Sequence, residues 1–381
     1  MLTTTALIMP ALAQAQSEVH GTRLGPFHSS DAHFVAEVVA VGFQAFSGLA
    51  VLPDGRILTG ERPNGRLSVV NPETGARSAV HGVPRVHDPG GAGLIDIRPD
   101  PDFATNHLLY YSYSLPGEKG STLAVERARL EGDSLLEARR VFTAMPWSDS
   151  SDHYGGRLVR SGEYLFISLG DREERDRAQD PGQDYGKILR LFADGRVPPD
   201  NPLVGRTDSR PEIWSYGHRN PQGLALRPGT QELWEHEHGP MGGDEINLIR
   251  PGLNYGWPTV TYGTEYDGRE INGGRNRQEG LEQPVYFYRP SIAPSGMSFY
   301  TGAAFPGWRG NLFLGGMSRG GHLNRLILDG TKVVREERLL TGRRWRTRQV
   351  VEGPDGFLYL GIDRFWLGEE MGMLVRIRPA E

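Results

Sequence analysis

From Phe34 onward the chain alternates short apolar runs with clusters of Gly, Pro, Asp and Asn. The runs are about four to eight residues long and rich in β-branched and aromatic side chains, the pattern of strands joined by tight turns. Runs of this kind occupy 49–58, 66–72, 106–113, 163–169, 232–237, 311–316, 323–328 and 354–361. The phrase Pro-Asp-Gly followed by an apolar strand occurs at Pro53 and again at Pro354, and looser forms lie between. Repeated strand pairs at this spacing read as the blades of a propeller, and six blades of ~40–60 residues absorb a chain of this length where a single sandwich does not. The expected fold is all-β, a six-bladed β-propeller, closed by a strand at 34–41 lying beside 358–362 and 373–377. Two segments break the strand rhythm, 171–210 and 237–280, and long polar loops of this kind in a compact domain are usually functional.

Composition supports that reading. The chain has 51 Gly and 27 Pro among 381 residues, roughly double the average glycine share, which argues against long helices. With 38% hydrophobic and 23% charged residues, it can bury a large core, so disorder is excluded. A net charge of -5 removes the general attraction to nucleic-acid phosphates. There is no cysteine, so any resident metal must be held by oxygen or imidazole. Residues 1–15 are apolar and small and end in Ala11-Leu12-Ala13 and Ala13-Gln14-Ala15, which suits signal-peptidase cleavage and predicts a periplasmic or secreted protein. The domain plan is then 1–15 as a signal peptide, 16–33 as an N-terminal extension and 34–381 as a single propeller. No window elsewhere approaches the ~20 apolar residues of a membrane span.

Four constellations carry candidate chemistry. His153 sits in Ser151-Asp152-His153-Tyr154-Gly155-Gly156-Arg157; if the residues after it form a hairpin, it meets Asp171, and a histidine oriented by a carboxylate is a general base. Arg219 and Asn220, between Gly217 and Pro221, present a planar cation and an amide that suit a planar carboxylated ligand. Gly239 and Pro240 free backbone carbonyls beside Asp244, Glu245, Glu265 and Asp267, an all-oxygen donor set that favours Ca2+ over zinc. Arg346 and Arg348 share a face if they lie on a strand and would converge on an anion.

Taken in order, these segments resemble the soluble glucose/sorbosone dehydrogenase family, the PQQ-dependent aldose sugar dehydrogenases of bacteria. The resemblance runs from about Gly42 to the C-terminus, and its most specific motifs are His218-Arg219-Asn220-Pro221-Gln222-Gly223 and Asp244-Glu245-Ile246-Asn247-Leu248-Ile249, with Asn254-Tyr255-Gly256-Trp257-Pro258 after them. It implies a six-bladed propeller carrying PQQ and Ca2+, with an aldose as substrate and an external electron acceptor. It also implies roles. His153 is the base toward the sugar C1 hydroxyl and Asp171 its support; Arg219, counted with the catalytic group, and Asn220 lie over the cofactor. The carbonyls of Gly239 and Pro240 hold the cofactor's Ca2+, with Asp244 close by. Glu245 and the Tyr255 carbonyl match a second, structural calcium site, to which Glu265 is added as a candidate. Arg346 and Arg348 neutralise cofactor carboxylates.

Two positions depart from the family pattern. Gly91 stands where relatives place a Gln beside the base, and Ser318 stands where the glucose dehydrogenase branch has a cofactor-contacting Lys, which leaves Arg319 as the nearest cation. Two other readings share the scaffold: a calcium-dependent propeller lactonase, which leaves Arg346 and Arg348 unexplained, and a non-catalytic binding propeller, against which the pairing of His153 with Asp171 argues.

Overall fold

Six antiparallel sheets arranged around a central axis make a six-bladed β-propeller in the computed structural model, which describes residues 19–363 and 372–380. Blade one contains β3 (Phe46–Val51), β4 (Ile57–Glu61), β5 (Arg66–Val70) and β6 (Arg77–Val80); blade two contains β7 (Leu94–Pro99), β8 (Leu108–Gly117), β9 (Gly120–Glu131) and β10 (Ser134–Thr143). Blade three is built from β11 (Gly155–Ser161), β12 (Tyr164–Leu169), β13 (Lys187–Phe192) and β14 (Ile213–Tyr216), and blade four from β15 (Pro221–Leu226), β16 (Leu233–Glu237), β17 (Asp244–Ile249) and β18 (Tyr286–Tyr288). Blade five follows with β19 (Pro294–Phe299), β20 (Leu312–Gly316), β21 (His322–Asp329) and β22 (Lys332–Leu339).

The sixth blade joins both ends of the chain. Its inner strands β23 (Arg346–Glu352), β24 (Leu358–Asp363) and β25 (Gly372–Pro379) come from the C-terminal side, while β2 (His33–Phe43) and β1 (Arg23–His28) come from the N-terminal side, in the order β1-β2-β25-β24-β23. Phe34 pairs with Pro379 and Val41 with Met373, as the sequence pattern anticipates. Part of the stretch assigned above to an N-terminal extension is thus β1, hydrogen-bonded to β2. Glu37 of β2 fixes the closure by accepting from Arg376 and from Arg378 Nη1 at 2.8 Å. Residues 1–15, the expected signal peptide, lie outside the described residues. Among the described residues no helix is long and apolar enough to cross a membrane.

The apolar faces of the blades pack on one another rather than around one centre. One hydrophobic cluster fills each boundary between blades; at the boundary of blades five and six, Phe34, Trp308, Phe313, Leu360 and Ile377 are fully buried. The six inner strands β3, β7, β11, β15, β19 and β23 contact each other in sequence and line the axis. Antiparallel order then fixes where function gathers. Each inner strand starts on the face to which the second strand returns, so the loop entering a blade and the loop joining its second and third strands open on the same face. His153, Arg219, Asn220 and Arg346 lie at inner-strand entrances, and Asp171, Gly239, Pro240, Ser318 and Arg319 lie in second-to-third loops.

Phe34→Ala should remove a fully buried ring that meets Trp308 edge-on at 5.5 Å and cost about 3–5 kcal/mol. The measurement is a lower urea midpoint with an unchanged slope; a midpoint equal to that of the unaltered protein would show that the closing blade does not limit stability.

Candidate active site

His153 and Asp171 meet across the mouth of the β11–β12 hairpin, His153 Nδ1 lying 2.7 Å from Asp171 Oδ1. The approach requires Gly170, because a Cβ there would lie 2.3 Å from the His153 carbonyl oxygen. His153 itself takes a left-handed backbone, φ +49°, which is costly outside glycine and characteristic of positions held by their surroundings. Asp171 is 1% exposed and both of its carboxylate oxygens are engaged. Oδ1 also accepts the Glu173 N–H at 2.9 Å, and Oδ2 accepts the Trp257 indole N–H at 2.8 Å. A carboxylate so held selects the Nδ1–H tautomer of His153 and leaves Nε2 as the lone-pair nitrogen. Trp257 was part of a sequence motif but carried no assigned role. It arrives because the β17–β18 loop climbs back along β14, with Tyr255 N bonded to Tyr216 O and Trp257 N to Gly217 O.

The loop carrying Asp171 is braced from within. Lys187, fully buried at the start of β13, donates Nζ to the carbonyls of Arg177 at 2.7 Å, Ala178 at 3.2 Å and Tyr185 at 2.6 Å.

Arg219 and Asn220 are fastened to the same structure. The Asp171 N–H donates to Arg219 O at 2.8 Å, and Arg219 Nη1 donates to the carbonyls of His238 at 2.9 Å and Gly239 at 2.7 Å. The Gly239 carbonyl, expected to face a cation, therefore already accepts from a guanidinium. Its second lone pair remains. Glu237, absent from the sequence-derived candidates, accepts both the Arg219 and Asn220 N–H groups.

Asp244 is not a cation ligand in this arrangement. Its Oδ1 accepts Gly239 N at 3.1 Å, and its Oδ2 accepts Ser291 Oγ, Ile292 N and Ala293 N at 2.6, 2.9 and 3.0 Å. It anchors the loops of blades four and five. Glu265 is likewise removed from the candidate metal set, because its carboxylate is engaged by the Arg175 guanidinium, Nη2 at 2.7 Å from Oε2, on the exposed surface. Glu245 belongs instead to a buried acidic group. Glu237 pairs with Glu245 and Glu235 with Asn247 across β16 and β17, so the four side chains share one face of the sheet. His218, Glu235 and Glu237 offer ligand atoms within 4.8 Å of one another, and Glu235 Oε1, Asn247 Oδ1 and His218 Nδ1 have no hydrogen-bond partner among the described protein atoms. Tyr255 borders the group through its ring, stacked on His218 at 4.7 Å, while its hydroxyl donates to Leu248 O at 2.6 Å. Burial first, and then repulsion from Glu237, push the carboxyls of Glu235 and Glu245 well above the usual range. The signal in the sequence was acidic and amide residues at alternate positions of otherwise apolar strands.

Arg346 and Arg348 both reach Met317: Arg346 Nη1 donates to Met317 O at 2.5 Å and Arg348 Nη1 reaches Met317 Sδ at 3.3 Å. Arg348 is buried, and its Nε has no partner among the described protein atoms. Arg319 does not join them. It is exposed on the β20–β21 loop, and neighbouring Ser318 is tied down by N–H donation to Ile292 O. At the other departure, a Cβ on Gly91 would lie 2.9 Å from Asp152 Oδ1, so the neighbour of His153 takes space that a side chain would need.

Comparison with known proteins shows which family this propeller belongs to. The family model for Glucose / Sorbosone dehydrogenase matches residues 43–376, and the chain belongs to that family. It is 41% identical over 336 residues to the aldose sugar dehydrogenase YliI of Escherichia coli, covering 87% of this chain and 89% of that one. A crystal structure of a glucose dehydrogenase superposes with TM-score 0.86 at 44% identity, covering 91% of this chain and 99% of the other. The PQQ-bound aldose sugar dehydrogenase of Streptomyces coelicolor superposes with TM-score 0.73 at 28% identity, covering 92% and 100%. The chain is a sugar dehydrogenase by this membership.

The acidic group gives a pH test with a definite sign. Glu235 and Glu245 have raised pKa values in the folded state, so they retain protons that the unfolded chain has released above its ordinary value of 4.5. Their contribution therefore falls as pH rises. In chelator-treated protein, Glu235→Gln should flatten the loss of stability as pH rises above about 5, as read by urea unfolding. Parallel pH profiles for the two proteins would refute the assignment.

Proposed function

We propose that the protein is a PQQ-dependent, Ca2+-assisted dehydrogenase that oxidises the C1 hydroxyl of aldose sugars to the lactone. The observation that carries this reading is Asp171, buried and held by Trp257, bonded to the half-buried His153, together with the Arg346–Arg348 pair that meets at Met317. The residues present fit the implied groups. PQQ is a tricarboxylate, and the buried Arg348 has a donor without a partner among the described protein atoms; the acidic group of Glu235, Glu237 and Glu245 suits a hard cation. Arg346 and Arg348 would bind cofactor carboxylates, Arg219 and Asn220 would lie against the cofactor, and the carbonyls of Gly239 and Pro240 would face its Ca2+. Glu245 and the Tyr255 carbonyl, with Glu235 and Glu237 added from the structure, would hold a second Ca2+. When bound, PQQ supplies a hydride-accepting quinone and Ca2+ its polarisation.

The chain's own residues handle the proton and the orientation. His153 Nε2 takes the proton of the sugar C1 hydroxyl as the C1 hydride departs, leaving the C1 carbonyl of the lactone. Asp171 stabilises the imidazolium through Nδ1–H, and Trp257 together with the Glu173 N–H keeps Asp171 aimed. The relatives named aldose sugar dehydrogenase and glucose dehydrogenase support the substrate class. Residues 1–15 support an exported protein.

Purified protein supplemented with PQQ and CaCl2 should reduce a dye with aldoses, and omission of either should abolish turnover. His153→Ala should lower kcat by about 10²–10⁴-fold while PQQ binding, followed by absorbance, persists. Retention of the full rate in that variant would eliminate His153 as the base, and failure of the unaltered protein to bind PQQ would eliminate the cofactor assignment.

Replacing Gly91 by Gln should not simply restore a family contact. The new side chain must displace Asp152, so the expected outcome is a higher KM for aldoses with little change in PQQ binding. A lower KM would show that Asp152 yields and that the amide is accommodated.

A further inference from the structure

Two long loops approach the paired His153 and Asp171, residues 170–186 between β12 and β13 and residues 250–285 between β17 and β18. An amide pair bridges them. Gln179 Nε2 donates to Asn254 Oδ1 at 3.0 Å, and Asn254 Nδ2 donates back to Gln179 Oε1 at 2.7 Å. Gln179 Nε2 also donates to the Trp257 carbonyl at 2.6 Å, and Asn254 Oδ1 accepts the Gly256 N–H at 2.9 Å. Backbone groups at both ends thus fix the two amide orientations, because a carbonyl only accepts and an N–H only donates.

The bridge bears on Asp171 through Trp257. That residue is held by its carbonyl on Gln179 and by its N–H on Gly217 O at 2.9 Å, and its indole then donates to Asp171 Oδ2. Asp171 Oδ1 meets His153 Nδ1. Besides the indole bond, the polar link left between the two loops among the described residues is the Arg175–Glu265 pair, on the exposed surface where solvent screens it. A shift of Trp257 would leave Asp171 Oδ2 buried without that donor. Such a state is costly and is relieved by turning the carboxylate, which breaks its alignment with His153.

We propose that Gln179, paired with Asn254, is a positioning residue for the base: the amide bridge holds the Trp257 backbone where its indole reaches Asp171, and so keeps Asp171 aligned on His153. Gln179 touches neither reacting group. It acts through the Trp257 carbonyl, and Asn254 acts by holding the Gln179 amide and the turn at Gly256. The effect on turnover rests on the reading of His153 as the base, whereas the hold on Trp257 does not.

The first measurement uses the isotopically labelled full chain without cofactor. The Trp257 indole N–H is identified by NMR as the signal lost in Trp257→Phe, and its exchange with solvent is followed. Gln179→Met keeps the length of the side chain without its donors, and Gln179→Glu keeps an acceptor for Asn254 Nδ2 but repels the Trp257 carbonyl. Both should speed exchange at the Trp257 indole by about 10-fold or more. The Trp308 indole, bonded to Ser29 Oγ at 3.1 Å at the remote seam, should be unchanged, which also shows that the variants are folded. Asn254→Asp keeps the acceptor for Gln179 and Gly256 and should have a smaller effect. In protein loaded with PQQ and CaCl2, Gln179→Met should lower kcat for aldoses by about 10–100-fold with little change in KM. Trp257 exchange as slow in both Gln179 variants as in the unaltered protein would overturn the proposal, as would an undiminished kcat in a loaded protein that turns over. Faster exchange in the variants together with no aldose oxidation by the unaltered protein would support the bridge and refute the dehydrogenase reading, so the two fail separately.

Discussion

Everything on the functional face depends on the pairing of β2 with β25. A ring of sheets has no stable open form of the same packing, because each blade buries its faces against two neighbours, and an unclosed ring exposes two apolar faces at once. Here the closing blade takes strands from opposite ends of the chain, and Glu37 holds Arg376 and Arg378 across the seam. Arg346 and Arg348 stand on the innermost strand of that same blade. Arg346 and Arg348 therefore stand in a closed ring only once the N-terminal strand has docked.

Within the closed ring, two carboxylates set the geometry of the site. Asp171 gathers His153 from the entrance to blade three, Trp257 from the long loop of blade four and, through its own N–H, the backbone of Arg219. Glu237 grips the N–H groups of Arg219 and Asn220 while belonging to the buried cluster with His218 and Glu235, against which Glu245 lies on the neighbouring strand. A cation bound by that group would act on the backbone of the Arg219–Asn220 pair through one shared side chain. The Arg219–Asn220 backbone and the buried acidic group are thus mechanically continuous.

The fold was legible because strand length, turn residues and alternation are local properties, and a propeller repeats them. The seam was legible from chain order alone: in a ring, the strand at 34–41 falls beside those at 358–362 and 373–377. His153 with Asp171, and Arg346 with Arg348, could be paired because a hairpin and a strand bring them together by local geometry alone. Where the sequence misled, long-range competition decided. Asp244 and Glu265 have the chemistry of calcium ligands, yet backbone N–H groups from Ile292 and Ala293 claim the first and Arg175 claims the second. Arg319 lies near the right strand in sequence but points its charge to solvent. Glu235, Glu237 and Trp257 were missed as site residues because their roles arise from register between strands and from a loop that doubles back, neither of which periodicity reveals.

The buried ammonium of Lys187 has a consequence for ligand affinity. By fastening three carbonyls of the β12–β13 loop, it fixes the segment that presents Asp171 before any ligand arrives. Ordering a flexible loop on binding consumes part of the interaction free energy. In this protein that cost is met during folding, so contacts made to a cofactor or sugar at this loop are expressed almost fully as affinity. The same bracing means that a change at Lys187, far from the reacting atoms, would register as weakened binding without the loss of a single contact to the ligand.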